Sequence, residues 1–400
     1  MGKIAKTARP AASRDEPDPW SDFSLMAGGP LYNLARRLGV TDGRAGFVRL
    51  GVALALLTWL PLLALTSLEH DESTISFLQS LGTHTRLLVA IPLFFAAEAL
   101  FDARVRQVIV TIVAARLVPA ARLSHLDAAL LQTIKWRDAW IVEAALLVIT
   151  MLSISNGLRT DLPGDVSTWR TTSSGSLTPA GLWYSIVSFP VFQFLLWRWC
   201  ARMLIWWQLL WRISRLDLRL IPTHPDFSGG LGGFGVAHVT LAPLGLGSSA
   251  VLVASFAEDI WWGGSSVSGL VLPLTSAVCA NVFIVVAPLL TFSPRLFQLK
   301  QQGLLEYGGL AAGYVSEFDD KWLRKADLQR ERLLGSPDLQ SLADLANSFN
   351  VIRSMRIVPI ALSQVLLLVG AAALPAAPLV LFVVPLDELV VKVLRAFLNV

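Results

Sequence analysis

Six predominantly apolar segments of roughly twenty residues recur along a 400-residue chain, and this pattern excludes most folds at once. A bilayer core about 30 Å thick takes roughly 20 apolar residues at 1.5 Å each in a helix. The segments run from about 47 to 68, 84 to 102, 136 to 155, 181 to 204, 239 to 262 and 270 to 292. With 54% hydrophobic residues and a mean hydropathy of +0.58, the chain carries more apolar surface than a soluble domain hides. The expected fold class is all-α: a polytopic transmembrane helix bundle of six spans, plus a C-terminal Pro-broken hairpin and amphipathic cytoplasmic helices. Interior prolines at 61, 92, 190 and 288 predict kinks, whereas Pro243 and Pro273 fall near span starts.

Basic residues set the expected orientation. Arg104, Arg106, Arg116, Arg122 and Lys135 mark the second connection as cytoplasmic, and Arg212, Arg215 and Arg219 mark the fourth. The opposite connections carry Glu69, Asp71, Glu72, Glu258 and Asp259 instead, with only Arg159 and Arg170 in the Ser/Thr/Gly-rich third. Both termini are therefore expected in the cytoplasm. The net charge of +4 belongs to this topology signal; with no base-reading motif beside it, nucleic acid is not an expected partner. Cys200 and Cys279 sit in apolar runs and read as small buried hydrophobes, with no disulfide framework and no metal or other cofactor implied.

The remaining segments divide as follows. Residues 1–30 have no apolar h-region and read as a disordered cytoplasmic tail; 31–46 form either a short interfacial helix or a solvated leader. After the six-span domain, 47–293, residues 294–356 are a cytoplasmic helical segment, in which Ser336-Pro337-Asp338 opens a second helix. Residues 357–386 form the hairpin, because 30 uncharged residues exceed one crossing and Pro375-Ala-Ala-Pro378 supplies a break. An amphipathic helix, 387–400, ends the chain.

Two constellations are candidate sites. The first is a cytoplasmic loop in which His224, Asp226, Gly229, Gly230 and Gly232 precede the fifth span. Glycines there expose backbone N–H groups that cradle an anion, or they simply make a tight turn. The loop lacks P-loop spacing, and no spacing rule makes His224, Asp226 and His238 converge on a metal. The second is a layer of polar side chains inside the spans. At 1.5 Å per residue, Glu98, Glu143 and Arg198 fall about 10 Å above the cytoplasmic face, with Gln364 at a similar depth. Either the layer is a buried ion pair joining three helices or it lines an ion path.

The loop His224-Pro-Asp226 with Gly229-Gly-Leu-Gly232, the segment Phe318-Asp-Asp-Lys-Trp-Leu-Arg324 and the stretch Leu339-Gln-Ser-Leu-Ala-Asp-Leu-Ala-Asn-Ser-Phe349 together resemble a family of uncharacterised multi-span bacterial inner-membrane proteins. The resemblance covers roughly residues 200–400. It implies a bacterial inner (cytoplasmic) membrane and brings no activity with it.

The functional expectation is a transport pathway, a channel-like pore in a homo-oligomer embedded in the lipid bilayer, with an ion as substrate. The alternative is a membrane-anchored sensor or scaffold that binds a cytoplasmic partner through residues 294–356. No nucleophile–base pair or metal cluster supports an enzyme.

Overall fold

The computed structural model describes residues 20, 23–29, 43–69, 71–157, 169–172, 175–261, 267–324 and 335–381. Among them 82% are helical and none belongs to a strand. Of the expected interfacial helix 31–46, residues 31–42 lie outside the described residues and 43–46 already belong to the first long helix; the terminal helix 387–400 lies outside them entirely.

Helix α1 (Gly43–Glu69) holds Pro61 inside it, and α2 (Asp71–Leu78) follows against its end. A short α3 (Leu81–His84) passes through a π turn, Thr85–Ala90, into α4 (Ile91–Ala114). Then come α5 (Leu123–Arg137) and α6 (Trp140–Gly157). Helix α7 (Pro179–Trp183) passes through a second π turn, Tyr184–Ser188, into α8 (Phe189–Ser214). The two π turns have one cause. Pro92 and Pro190 each lie two residues beyond the turn and lack the N–H that an α-helix needs there, so the backbone widens. The turns face each other, with Arg86 donating to the Tyr184 hydroxyl.

Helix α9 (Gly232–Val239) meets α10 (Ala242–Trp261) at a 40° bend, so the fifth apolar segment starts inside the glycine loop rather than at 239. Helix α11 (Val267–Val286) continues through a 3₁₀ stretch, Ala287–Phe292, into α12 (Ser293–Asp319), which makes one helical rod from Val271 to Arg324. Helix α13 (Pro337–Arg353) folds back on α12. Ser336 caps it by accepting from the Asp338 N–H, and Asp338 in turn accepts from Lys321 and Trp322. Last are α14 (Leu362–Ala373) and α15 (Ala377–Leu381).

Four helical runs are long and apolar enough to cross a membrane: Gly46–Glu69, Pro179–Ser214, Val271–Arg324 and Leu362–Leu379. The bent α9–α10 pair makes a fifth. Of the expected spans, 84–102 does not qualify on the same terms, because α4 carries Glu98, Asp102, Arg104 and Arg106, and of 136–155 the described side chains make a shorter apolar helix, Trp140–Leu152. The Pro375–Pro378 break is also milder than expected. It is a single 3₁₀ turn within the run Leu362–Leu379, since prolines at the start of a helical turn cost no hydrogen bond. The return leg of the expected hairpin lies outside the described residues.

The core gathers where α4 and α8 meet. Trp206, Phe101, Phe94 and Phe234 are fully buried there, and α1 packs along α4 so closely that a Cβ on Gly51 would overlap Phe95. Cys200 and Cys279 correct their expectation, because both are exposed on outward helix faces.

Candidate functional site

Glu98 on α4 and Arg198 on α8 meet as a two-pronged pair, with Nη1 donating to Oε1 at 2.8 Å and Nη2 to Oε2 at 3.4 Å. Glu98 is 3% exposed and Arg198 9%. At that burial the forked guanidinium geometry matters, since each charge is desolvated and depends on its partner. One helical turn along, Asp102 and Arg202 repeat the pattern on the same two helices, and here the partners come from elsewhere in the chain.

Residues 23–29 form a buried strap across this second turn. Asp102 Oδ1 accepts from the Ser24 hydroxyl at 2.7 Å, the Leu25 N–H at 2.8 Å and the Met26 N–H at 2.9 Å. Arg202 donates to the Gly28 carbonyl at 2.9 Å, Arg137 to the Ser24 carbonyl at 2.6 Å and Arg106 to the Phe23 carbonyl at 3.2 Å. Asp138 accepts from the Gly29 N–H at 3.0 Å. Leu25 and Met26 are wholly buried. Residues 23–29 are therefore not part of a disordered tail. A stretch without apolar periodicity is ordered here because charged side chains of α4, α5 and α8 take up its backbone polar groups one by one.

The two glycines fit this slot and larger residues do not. A Cβ on Gly28 would lie 2.2 Å from Arg137 Nε, and one on Gly29, whose φ is +94°, would lie 2.1 Å from Glu143 Oε1. Glu143 is thus brought to the strap, near Arg202, and not into the Glu98–Arg198 fork. The cluster holds four carboxylates (Glu98, Asp102, Asp138, Glu143) and four guanidiniums (Arg106, Arg137, Arg198, Arg202), so its formal charge is zero and the uncharged strap adds hydrogen bonds to it. Beyond the helix ends, burial pushes the Asp138 carboxyl up, but Arg137 and the Gly29 N–H outweigh it and hold the group below the usual carboxylate range.

Gln364 belongs to a different structure. Its Oε1 accepts from the Ala361 N–H at 2.8 Å and caps the start of α14, against Gly235 of α9. Depth alone placed it with the ion pair; its hydrogen bond places it at a helix terminus.

The glycine-rich loop is occupied by its own carboxylate. Phe227, Gly229 and Gly230 take positive φ, which turns successive N–H groups toward one point. Asp226 stands at that point and accepts from the N–H groups of Ser228 at 2.8 Å, Gly230 at 3.1 Å and Gly232 at 2.7 Å. Burial raises its pKa, yet these three bonds, with His224 Nδ1 at 2.8 Å, bring it below the ordinary value. Arg356 closes the turn from outside, its N–H donating to the Phe227 carbonyl and its guanidinium to the Asp226 carbonyl. The geometry is that of a tight turn whose anion is built in.

His238 is similarly committed. Nε2 accepts from the Trp206 indole at 2.8 Å, which leaves Nδ1 to donate to the Val285 carbonyl at 2.6 Å; the tautomer follows from that network. Among the described residues no group of three His, Cys, Asp or Glu could hold a metal ion. Sequence reasoning missed Asp102, Arg137 and Asp138 altogether. Asp102 and Arg202 were within reach, since residues four apart on a helix share a face with Glu98 and Arg198. Comparison with protein-family models, curated proteins and solved structures finds no match, so the geometry stands alone.

Proposed function

We propose that the chain forms a transport pathway in the bacterial inner membrane, a channel-like pore in a homo-oligomer, whose cytoplasmic mouth is the charged cluster and whose strap is the closure. The supporting observation is the strap itself. Seven uncharged residues lie across α4, α5 and α8 and satisfy with their own polar groups a cluster that otherwise presents Asp102, Arg137 and Arg202 to the cytoplasm. Charged rings at a constriction set ion preference, and a segment that plugs one controls access. In this reading α1, α3–α4, α6, α7–α8, α9–α10 and α11 are six crossings and both termini are cytoplasmic. Neighbouring helices carry the charges of α4, as they must inside a membrane.

The test is ion flux in proteoliposomes, comparing the full chain with a form lacking residues 20–29 and with Asp102→Ala. Both variants should conduct more than the parent, and adding Glu98→Gln with Arg198→Leu should change which ion passes. Folded variants with the parent's flux would remove the proposal.

A second reading, a scaffold working through the α12–α13 hairpin, draws on a separate observation. Leu305 is 79% exposed and Leu323 71%, and a Cβ on Gly309 or Gly313 would meet nothing. That face suits a protein partner.

A further inference from the structure

Helix α4 carries one cation that the strap does not use. Arg104 lies nineteen residues beyond Thr85, about 28 Å along the helix and so at the edge of a core about 30 Å thick. Its partner is neutral, the Gln107 Oε1 at 2.7 Å, and no carboxylate of the described residues pairs with it. Arg106, two residues on, turns the other way and binds Asp102 and the strap.

Beside Arg104 a cavity of about 250 Å³ opens between α4 and the start of α9. Arg104, Gln107 and Thr111 make one side polar; Val108, Ile112 and Phe234 make the other apolar. Gln107 keeps its amide N–H donors, because the guanidinium occupies its oxygen. The cavity exists because residues 230 and 233 have no side chain. A Cβ on Gly233 would already touch Val108 at 3.4 Å.

The geometry points to a binding site for the phosphate of an anionic phospholipid, with its glycerol end against Gln107 and Thr111 and the start of an acyl chain along Val108 and Val236. An unpaired guanidinium at the boundary of the hydrocarbon layer complements a phosphodiester, and a half-apolar cavity beside it suits an amphiphile better than a free ion. The site is separate from the strap cluster and stands whether or not the chain conducts. Only the naming of the leaflet, the cytoplasmic one, rests on the orientation proposed above.

The test uses the full chain in phosphatidylcholine nanodiscs with a small fraction of spin-labelled phosphatidylglycerol, and measures how far the label is enriched at the protein. The parent should enrich it. Arg104→Gln, an exposed substitution that leaves the fold intact, should lose about fivefold, the worth of one cationic contact near an anionic surface. Gly233→Leu, checked by its melting temperature, should lose a similar amount by filling the cavity, and Arg219→Gln should change little. Glycerol phosphate in excess should not displace the lipid. Enrichment that survives Arg104→Gln, falls equally with Arg219→Gln or is abolished by glycerol phosphate would overturn the assignment: the first denies the site, the second reduces it to general surface charge and the third makes the ligand a free phosphate.

Discussion

Asp102 and Asp226 do the same chemical job in two places, and only the distance along the chain differs. Beside one partner on its own element, Arg106 or His224, each carboxylate gathers three further donors. Those of Asp226 come from two to six residues away, and those of Asp102 from 76 to 78 residues away. The first is a closed turn that forms with its own loop and has no reason to open while α8 and α9 are folded. The second closes a long loop, so it carries an entropic penalty that the turn does not, and the strap itself is no part of any helix. Similar hydrogen bonds thus make a permanent joint in one place and a separable one in the other.

The comparison can be broken at three strengths. The largest effect belongs to the pair beneath the strap. Arg198→Leu strands a buried carboxylate and should lower stability by about 3–5 kcal/mol, while Glu98→Gln with Arg198→Leu should recover most of it. Thermal unfolding in mild detergent measures both, and a single mutant as stable as the parent would mean the pair is not desolvated. Next come the two carboxylates themselves. Asp226→Ala leaves three N–H groups unmet and should cost about 2–3 kcal/mol, whereas Asp102→Ala should leave the melting temperature nearly unchanged and expose residues 20–29 to protease. Equal losses from the two would erase the distinction between joint and latch.

The smallest effect is a pH dependence. The folded Asp226 pKa lies below the unfolded value of about 3.9. Its contribution is therefore complete above that value and fades as pH falls through the lower, folded one. The stability gap between the parent and Asp226→Asn should stay constant from pH 7 to about 4 and narrow only below. A gap that closes already near neutrality would assign the effect to another group.

How much of this the sequence discloses depends on whether the partner is near or far. Counting 1.5 Å per residue was enough to bring Glu98 and Arg198 to one depth, because two helices that cross the same membrane share a ruler. The same ruler misplaced Gln364, which sits three residues after Ala361, the spacing of a helix cap, and local hydrogen bonding outranked depth. In the loop the glycines foretold a turn, and the spacing Asp226-x-Ser228-x-Gly230-x-Gly232 was itself a sign that the carboxylate would fill it. The strap was illegible for a different reason. Ser24, Gly28 and Gly29 have neither periodicity nor hydrophobic bulk, and their order comes from three helices that lie more than seventy residues away.

The rod from Val271 to Arg324 has one more implication. Its 54 residues span about 80 Å, so well over half of it stands clear of a hydrocarbon core about 30 Å thick. The 3₁₀ stretch at Ala287–Phe292, pinned by Phe292 against Phe234 of α9, sits where a fulcrum would. Mechanically this is a beam with a long outer arm and a short inner one. Were the rod to move as one rigid body about that point, a small tilt of the short arm would become a wider sweep of the long one.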